Sequence, residues 1–277
     1  MMPNRTIRKT FAMAALAVSL MACSAATQFS RSAQDHELIR EDITVNNLPL
    51  VIFRDAISSR SPVIHFYLDG DGSPWIHGKR IAADPTSRSR LILALMAEDS
   101  APKMLIGRPC YYITPSKRPS GCTNSLWTSQ RYSAVVVETM AELIEAQALR
   151  FAAQEVRLIG YSGGGTLAML IANHLSDVDV VVTIAANLNV DAWVGHHQFT
   201  PLADSLNADN FPLLSQNIRQ VHFVGGQDTN VPAEITRSVA SRQHNAQVIE
   251  IGDYSHGCCW PNDWASRLQS VLSGGSL

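Results

Sequence analysis

Three residues of this chain could together turn a hydroxyl into a nucleophile: Ser162, Asp228 and His256. A serine hydroxyl reacts poorly at neutral pH unless a base takes its proton and an acid orients that base. Ser162 lies in Gly160-Tyr161-Ser162-Gly163-Gly164, which has the G-x-S-x-G spacing. A short apolar run, Val156 to Ile159, precedes it, and a helix-compatible run, Thr166 to Leu175, follows. That context predicts a sharp strand-to-helix turn with the serine hydroxyl exposed at its apex. A Gly-rich turn carrying an ordinary serine would share the pattern, so the other two residues decide.

Asp228 follows an apolar run and Gly225-Gly226, and Pro232 opens the next helix-compatible segment. It can orient a histidine, or cap that helix and satisfy turn amides. His256 stands in Gly252-Asp253-Tyr254-Ser255-His256-Gly257, in the loop after the last apolar run. Successive members are 66 and 28 residues apart in the order Ser, Asp, His. Asp204 and Asp253 are the rival acids. His65 falls inside an apolar run and reads as a core residue, and His174 sits on the helix after Ser162. Trp193, His197 and Phe199 lie in a connection of about 30 residues where a small lid would be inserted, and could line a pocket.

The elements that must position these residues alternate. Ile39–Val45 and Leu50–Phe53 read as a hairpin, and Pro62–Leu68, Lys103–Ile106, Glu155–Ile159, Val178–Ala185, Ile218–Val224 and Gln247–Ile251 as strands. Ser89–Ala97, Ser133–Arg150, Thr166–Leu175, Val231–Gln243 and Trp260–Leu272 read as helices. Such alternation predicts an α/β fold, a mostly parallel sheet with helices on both faces. Ligand sites in such sheets form beyond the carboxyl ends of the strands, where Asp69–Gly72, Ser162, Asp228 and His256 all fall.

With these residues in view, the chain resembles a serine hydrolase of the α/β-hydrolase superfamily, in particular bacterial lipoprotein members of it. The resemblance runs from about Pro62 onward. It rests on Asp69-Gly70-Asp71-Gly72, Arg108-Pro109-Cys110, Arg131-Tyr132-Ser133, Gly160 to Gly164, Pro201 to Asn207, Gly226-Gln227-Asp228 and His256. It implies Ser162 as nucleophile, His256 as base and Asp228 as orienting acid. It also implies an oxyanion hole from the Gly163 N–H and an N–H of the loop after Pro62–Leu68, with Gly70 and Asp71 as candidates. That loop reads Asp-Gly-Asp-Gly where lipases have His-Gly-Gly-Gly, and a cation-binding turn is the alternative reading.

The first 22 residues read as an export signal. Arg5, Arg8 and Lys9 precede an apolar run, Phe11 to Ala22, too short to span a bilayer. Its end, Leu20-Met21-Ala22-Cys23, resembles a bacterial lipoprotein signal, with Cys23 as the lipidated residue, although Met21 is unusual there. An ordinary secretory signal cut after Ala25 or Ala26 is the alternative. Ser24 after the cysteine points to the outer membrane. Residues 23–37 read as a flexible tether, and 38–277 as one domain.

Three of the 22 basic residues and none of the 24 acidic ones lie in the signal, so the remainder carries a net charge of −5. Nucleic acid is therefore not an expected partner. Cys110 and Cys122 share one Pro-rich loop and could form a disulfide, whereas Cys258 and Cys259 leave several pairings open. No cofactor or metal is expected, and a monomer is. The expected activity is carboxylic-ester hydrolysis at the cell envelope, with a small-molecule ester as substrate and a lipid anchor at Cys23. Peptidase or thioesterase activity and a non-catalytic binding role are the alternatives.

Overall fold

The computed structural model describes residues 24–57 and 60–274. Cys23 and the signal before it lie outside the described residues. Eight strands form one sheet in the order β1-β2-β6-β3-β7-β8-β9-β10. The chain enters through α1 (Ala25–Asp35), β1 (Ile39–Val45) and β2 (Leu48–Arg54). Asn46 and Asn47, both at positive φ, close the β1–β2 hairpin. β3 (Val63–Leu68), a short separate hairpin of β4 (Trp75–Ile76) and β5 (Arg80–Ile81), α2 (Leu91–Ala97) and β6 (Lys103–Ile106) follow. Then come α3 (Ala134–Arg150), β7 (Glu155–Tyr161), α4 (Gly163–Ala172), β8 (Val178–Ile184) and α5 (Val190–His197). β9 (Arg219–Gly225), α6 (Ala233–Ala240), β10 (Ala246–Ile251) and α7 (Trp264–Leu272) complete the chain. β1 and β2 run antiparallel to their neighbours, and the pairings from β6 to β10 are parallel.

Register shows how helices cover both faces. Leu68 pairs with Gly160 and Gly160 with Thr183, so the three point to one face. Glycine at 160 admits α4 there: a Cβ would overlap the Gly164 carbonyl. Tyr67 and His65 point the other way, toward Asp99 beyond α2 and Trp264 at the start of α7. His65 is buried, as its apolar surroundings in the sequence imply, and its Nδ1 meets Asp99 Oδ2 at 2.6 Å.

Residues 24–37, expected to form a tether, are instead mostly a docked helix. Ser24 caps α1, its Oγ accepting from the Thr27 N–H at 3.2 Å. Ala26, Phe29 and Ala33, spaced by three and four, are buried on one side. The Phe29 ring lies 4.5 Å from that of Tyr112 and 5.5 Å from that of Phe53. Burying that ring alone stabilises the docked helix by about 2 kcal/mol. Among the described residues, no helix is long and apolar enough to cross a membrane.

Candidate active site

β7 ends at Tyr161, and the backbone reverses at Ser162, whose φ is 52° and ψ −127°. α4 begins at once with Gly163, three residues earlier than the sequence pattern placed it. The glycine run is therefore the first turn of the helix, not a loop before it. Gly164 needs its missing side chain, because a Cβ would overlap the Leu68 carbonyl of β3. The positive φ at a serine is a strained conformation, and Ser162 N–H donating to Ile184 O at 2.8 Å helps hold it.

The structure brings the three expected side chains into one hydrogen-bonded row. Ser162 Oγ lies 3.1 Å from His256 Nε2, and His256 Nδ1 lies 2.8 Å from Asp228 Oδ2. A carboxylate only accepts, so Nδ1 carries the proton and Nε2 presents its lone pair to the hydroxyl. The Asp228 side chain is fully buried. Its second oxygen accepts from Asn230 N–H at 2.9 Å and Val231 N–H at 2.8 Å. Asp228 thus satisfies turn amides and faces the histidine at once. The rivals Asp204 and Asp253 are exposed. The His256 carbonyl is held by Tyr161 Oη at 3.1 Å and Trp260 Nε1 at 3.0 Å.

The loop after β3 lies against the elbow. Asp69 is buried, and Gly70 N–H donates to its Oδ1 at 2.8 Å while Tyr112 Oη donates to Oδ2 at 3.1 Å. The Gly70 N–H, one of the two expected oxyanion donors of this loop, is therefore already engaged. Burial raises the Asp69 carboxyl to about pKa 6, against those two hydrogen bonds and the nearby Arg108. Asp71 does the opposite. Burial disfavours its charge, yet Arg108 and Arg131 hold its carboxyl below the ordinary value. Arg108 Nη2 lies 2.9 Å from Oδ1 and Arg131 Nη1 2.8 Å from Oδ2. Tyr132 Oη donates to the same carboxylate at 2.7 Å. Two of the segments behind the resemblance, at Arg108 and at Arg131-Tyr132, therefore converge on a third, at Asp71. Asp71 is held by two cations of this chain, and the cation-binding reading of its loop is not needed to explain it.

A cleft of about 710 Å³ opens above Ser162. Trp193, Phe199 and Leu202, from the connection between β8 and β9, line one part of it. His197, expected to line it too, instead donates from Nε2 to Asn230 O at 2.7 Å and stacks on Phe199. His196 likewise reaches Thr229 O at 3.1 Å, and His174, expected on the helix, lies exposed just past the end of α4 at Ala172. The β4–β5 hairpin, which the sequence reading missed, contributes Trp75 and Gly78 to the lining. His77-Gly78 forms its turn: both residues adopt positive φ, and Lys79 N–H donates back to Ile76 O. Cys110 and Cys122 form a disulfide with S–S 2.01 Å, and Cys258 and Cys259 are bonded to each other.

No protein-family model matches the chain, and no curated protein sequence does. Solved structures do. The esterase Pf2001 of Pyrococcus furiosus superposes with TM-score 0.59 at 15% identity, over 87% of this chain and 95% of that one. The mouse alpha/beta hydrolase domain-containing protein 10 gives 0.59 at 11%, over 85% and 99%. A bacterial membrane phospholipase A, described as a virulence factor, gives 0.56 at 13%, over 90% and 92%. At these identities the likeness is one of fold: the chain has the α/β-hydrolase fold.

Proposed function

We propose that the protein is a serine hydrolase of carboxylic esters, held at the cell envelope through a lipid on Cys23. The observation that carries the reading is the row Ser162 Oγ, His256 Nε2, His256 Nδ1, Asp228 Oδ2, with contacts of 3.1 and 2.8 Å. It stands at the mouth of a cleft with an apolar part, on a fold shared with an esterase and a phospholipase.

In this mechanism the Ser162 oxygen attacks the acyl carbon as its proton passes to His256 Nε2. Asp228 holds the imidazole in the required tautomer and stabilises the imidazolium. The oxyanion is held by the Gly163 N–H, which as the first residue of α4 has no intrahelical acceptor. The second donor is the Asp71 N–H, because that of Gly70 is bound to Asp69 Oδ1. His256 then passes its proton to the leaving alkoxide, and the ester bond breaks. Water attacks the acyl-enzyme by the reverse proton route and restores Ser162.

A fluorophosphonate probe tests the chemistry: it labels Ser162 in the folded protein, and Ser162→Ala removes the label. Folded protein that takes up no probe rules the mechanism out. The anchor is supported by the basic and apolar segment ending in Ala22-Cys23. Growth with an alkyne fatty acid tags the chain, and the tag is lost in Cys23→Ala. The disulfide between Cys110 and Cys122 fits an oxidising compartment.

A further inference from the structure

The start of α1 is tied to the rim of the cleft. Ala26 N–H donates to Asp84 Oδ2 at 3.0 Å. Asp84 follows Ile81 by three residues, a reach of at most ~11 Å along the chain. Ile81 pairs directly with Trp75 across the β4–β5 hairpin, so the two side chains share one face. Trp75 lines the cleft. The first turn of α1 is therefore joined to the segment that leaves the hairpin, and the hairpin forms part of the cleft's edge.

That hairpin has the composition of a surface meant to be covered. Trp75 is 43% exposed and Ile81 40% exposed, in a two-stranded unit outside the main sheet. Phe199, which also lines the cleft, is 53% exposed. Lys79 and Arg80 at the tip and Arg88 beyond it are exposed, and none of the three has an ion-pair partner among the described residues. The nearest acid in sequence, Asp84, is engaged by the N–H groups of Ala26 and Thr86. A tryptophan beside an aliphatic residue, flanked by free cations, suits the interface of an anionic bilayer. The net charge of the chain is negative, so this basic cluster is local and not a reflection of overall composition.

We propose that the β4–β5 hairpin docks on an anionic lipid bilayer. Trp75 and Ile81 enter the headgroup region, and Lys79, Arg80 and Arg88 meet lipid phosphates. The cleft then opens onto that surface, and its substrate is an amphiphilic ester drawn from the bilayer. The substrate clause rests on the ester-hydrolase reading above; the docking does not. α1 makes the geometry consistent: its first turn is tied to Asp84, three residues past the hairpin.

The test uses the full chain with vesicles of phosphatidylglycerol and phosphatidylethanolamine, with and without bromine on the acyl chains. Bromine quenches tryptophan only on contact, so anchoring alone does not give the signal. Brominated vesicles should quench emission, and Trp75→Phe should remove most of that quenching. Combined Lys79→Glu, Arg80→Glu and Arg88→Glu should raise the lipid needed for half-quenching at least about tenfold, while leaving hydrolysis of a short soluble ester at the wild-type rate. Equal quenching in wild type and Trp75→Phe, or none in either, overturns the proposal. Ser162→Ala should dock like wild type. A chain that docks and never hydrolyses esters defeats the function proposed above and leaves docking intact; one that hydrolyses soluble esters without quenching does the reverse.

Discussion

The Asp71 carboxylate occupies the space that a side chain on residue 163 would fill. A Cβ built on Gly163 would overlap Asp71 Oδ1 and crowd Tyr132 Oη. The glycine after the serine is therefore matched to a charged group 92 positions earlier in the chain. Gly163→Ala must displace a carboxylate clamped by two arginines. It should cost about 1–3 kcal/mol and also lower kcat, since the same backbone carries a proposed oxyanion donor. Urea denaturation and ester kinetics read the two effects. A variant as stable and active as wild type would mean the carboxylate moves freely.

Removing the charge of Asp71 should be worse. Asp71→Asn leaves Arg108 and Arg131, 3% and 6% exposed, without their shared anion. Nε and Nη1 of Arg108 already have no partner. Breaking such a buried pair costs about 3–5 kcal/mol, which a fall in the urea midpoint would register. A loss below about 1 kcal/mol would show the cluster to be more hydrated than its burial implies.

Asp69 gives a pH signature. Its carboxyl titrates near 6 in the folded chain against an ordinary value of 3.8. Between about pH 4 and 6 the folded state keeps a proton that the unfolded chain has released. The stability this group supplies is present below pH 4 and is lost as pH rises through 6. Asp69→Asn stays neutral throughout. Its stability relative to wild type should therefore grow by up to about 3 kcal/mol between pH 4 and 6.5, then level off. Melting curves across that range decide it, and a flat difference would refute the burial argument.

Asp228→Asn should keep the loop, because an amide oxygen can still accept from Asn230 and Val231 N–H. It should lose the imidazole orientation, lowering kcat by ~10³–10⁴ with little change in melting temperature. A kcat within threefold of wild type would remove Asp228 from the mechanism.

The Cys110–Cys122 disulfide closes a loop of sequence separation 12. Replacing both cysteines by serine should cost about 2–3 kcal/mol, read as a lower melting temperature. Cys110 is fully buried, so Cys110→Ala with Cys122→Ala is the control that avoids burying a hydroxyl.

The parallel sheet and the Ser, Asp, His order were legible because each lies in a local pattern: an apolar run, then glycine, then the polar residue. α1 was not, because only Ala26, Phe29 and Ala33 mark its inner side and the rest is small or polar. Two-residue strands such as Trp75–Ile76 carry no period to detect. The cluster at Asp71 was present in sequence only as separate fragments. Its members at 71, 108, 131 and 132 meet through tertiary packing, and no spacing announces that.

The proposed triad members sit at positions 162, 228 and 256, on loops after β7, β9 and β10. A chain emerging from its N-terminus thus builds the serine turn long before the histidine arrives. The hydrogen-bonded row of Ser162, His256 and Asp228 is therefore among the last features to be completed, closed only when the segment after Ile251 folds back. A half-made polypeptide carries Ser162 without the imidazole of His256 beside it. Under the proposed mechanism, the order of the chain alone withholds activity until synthesis is nearly complete.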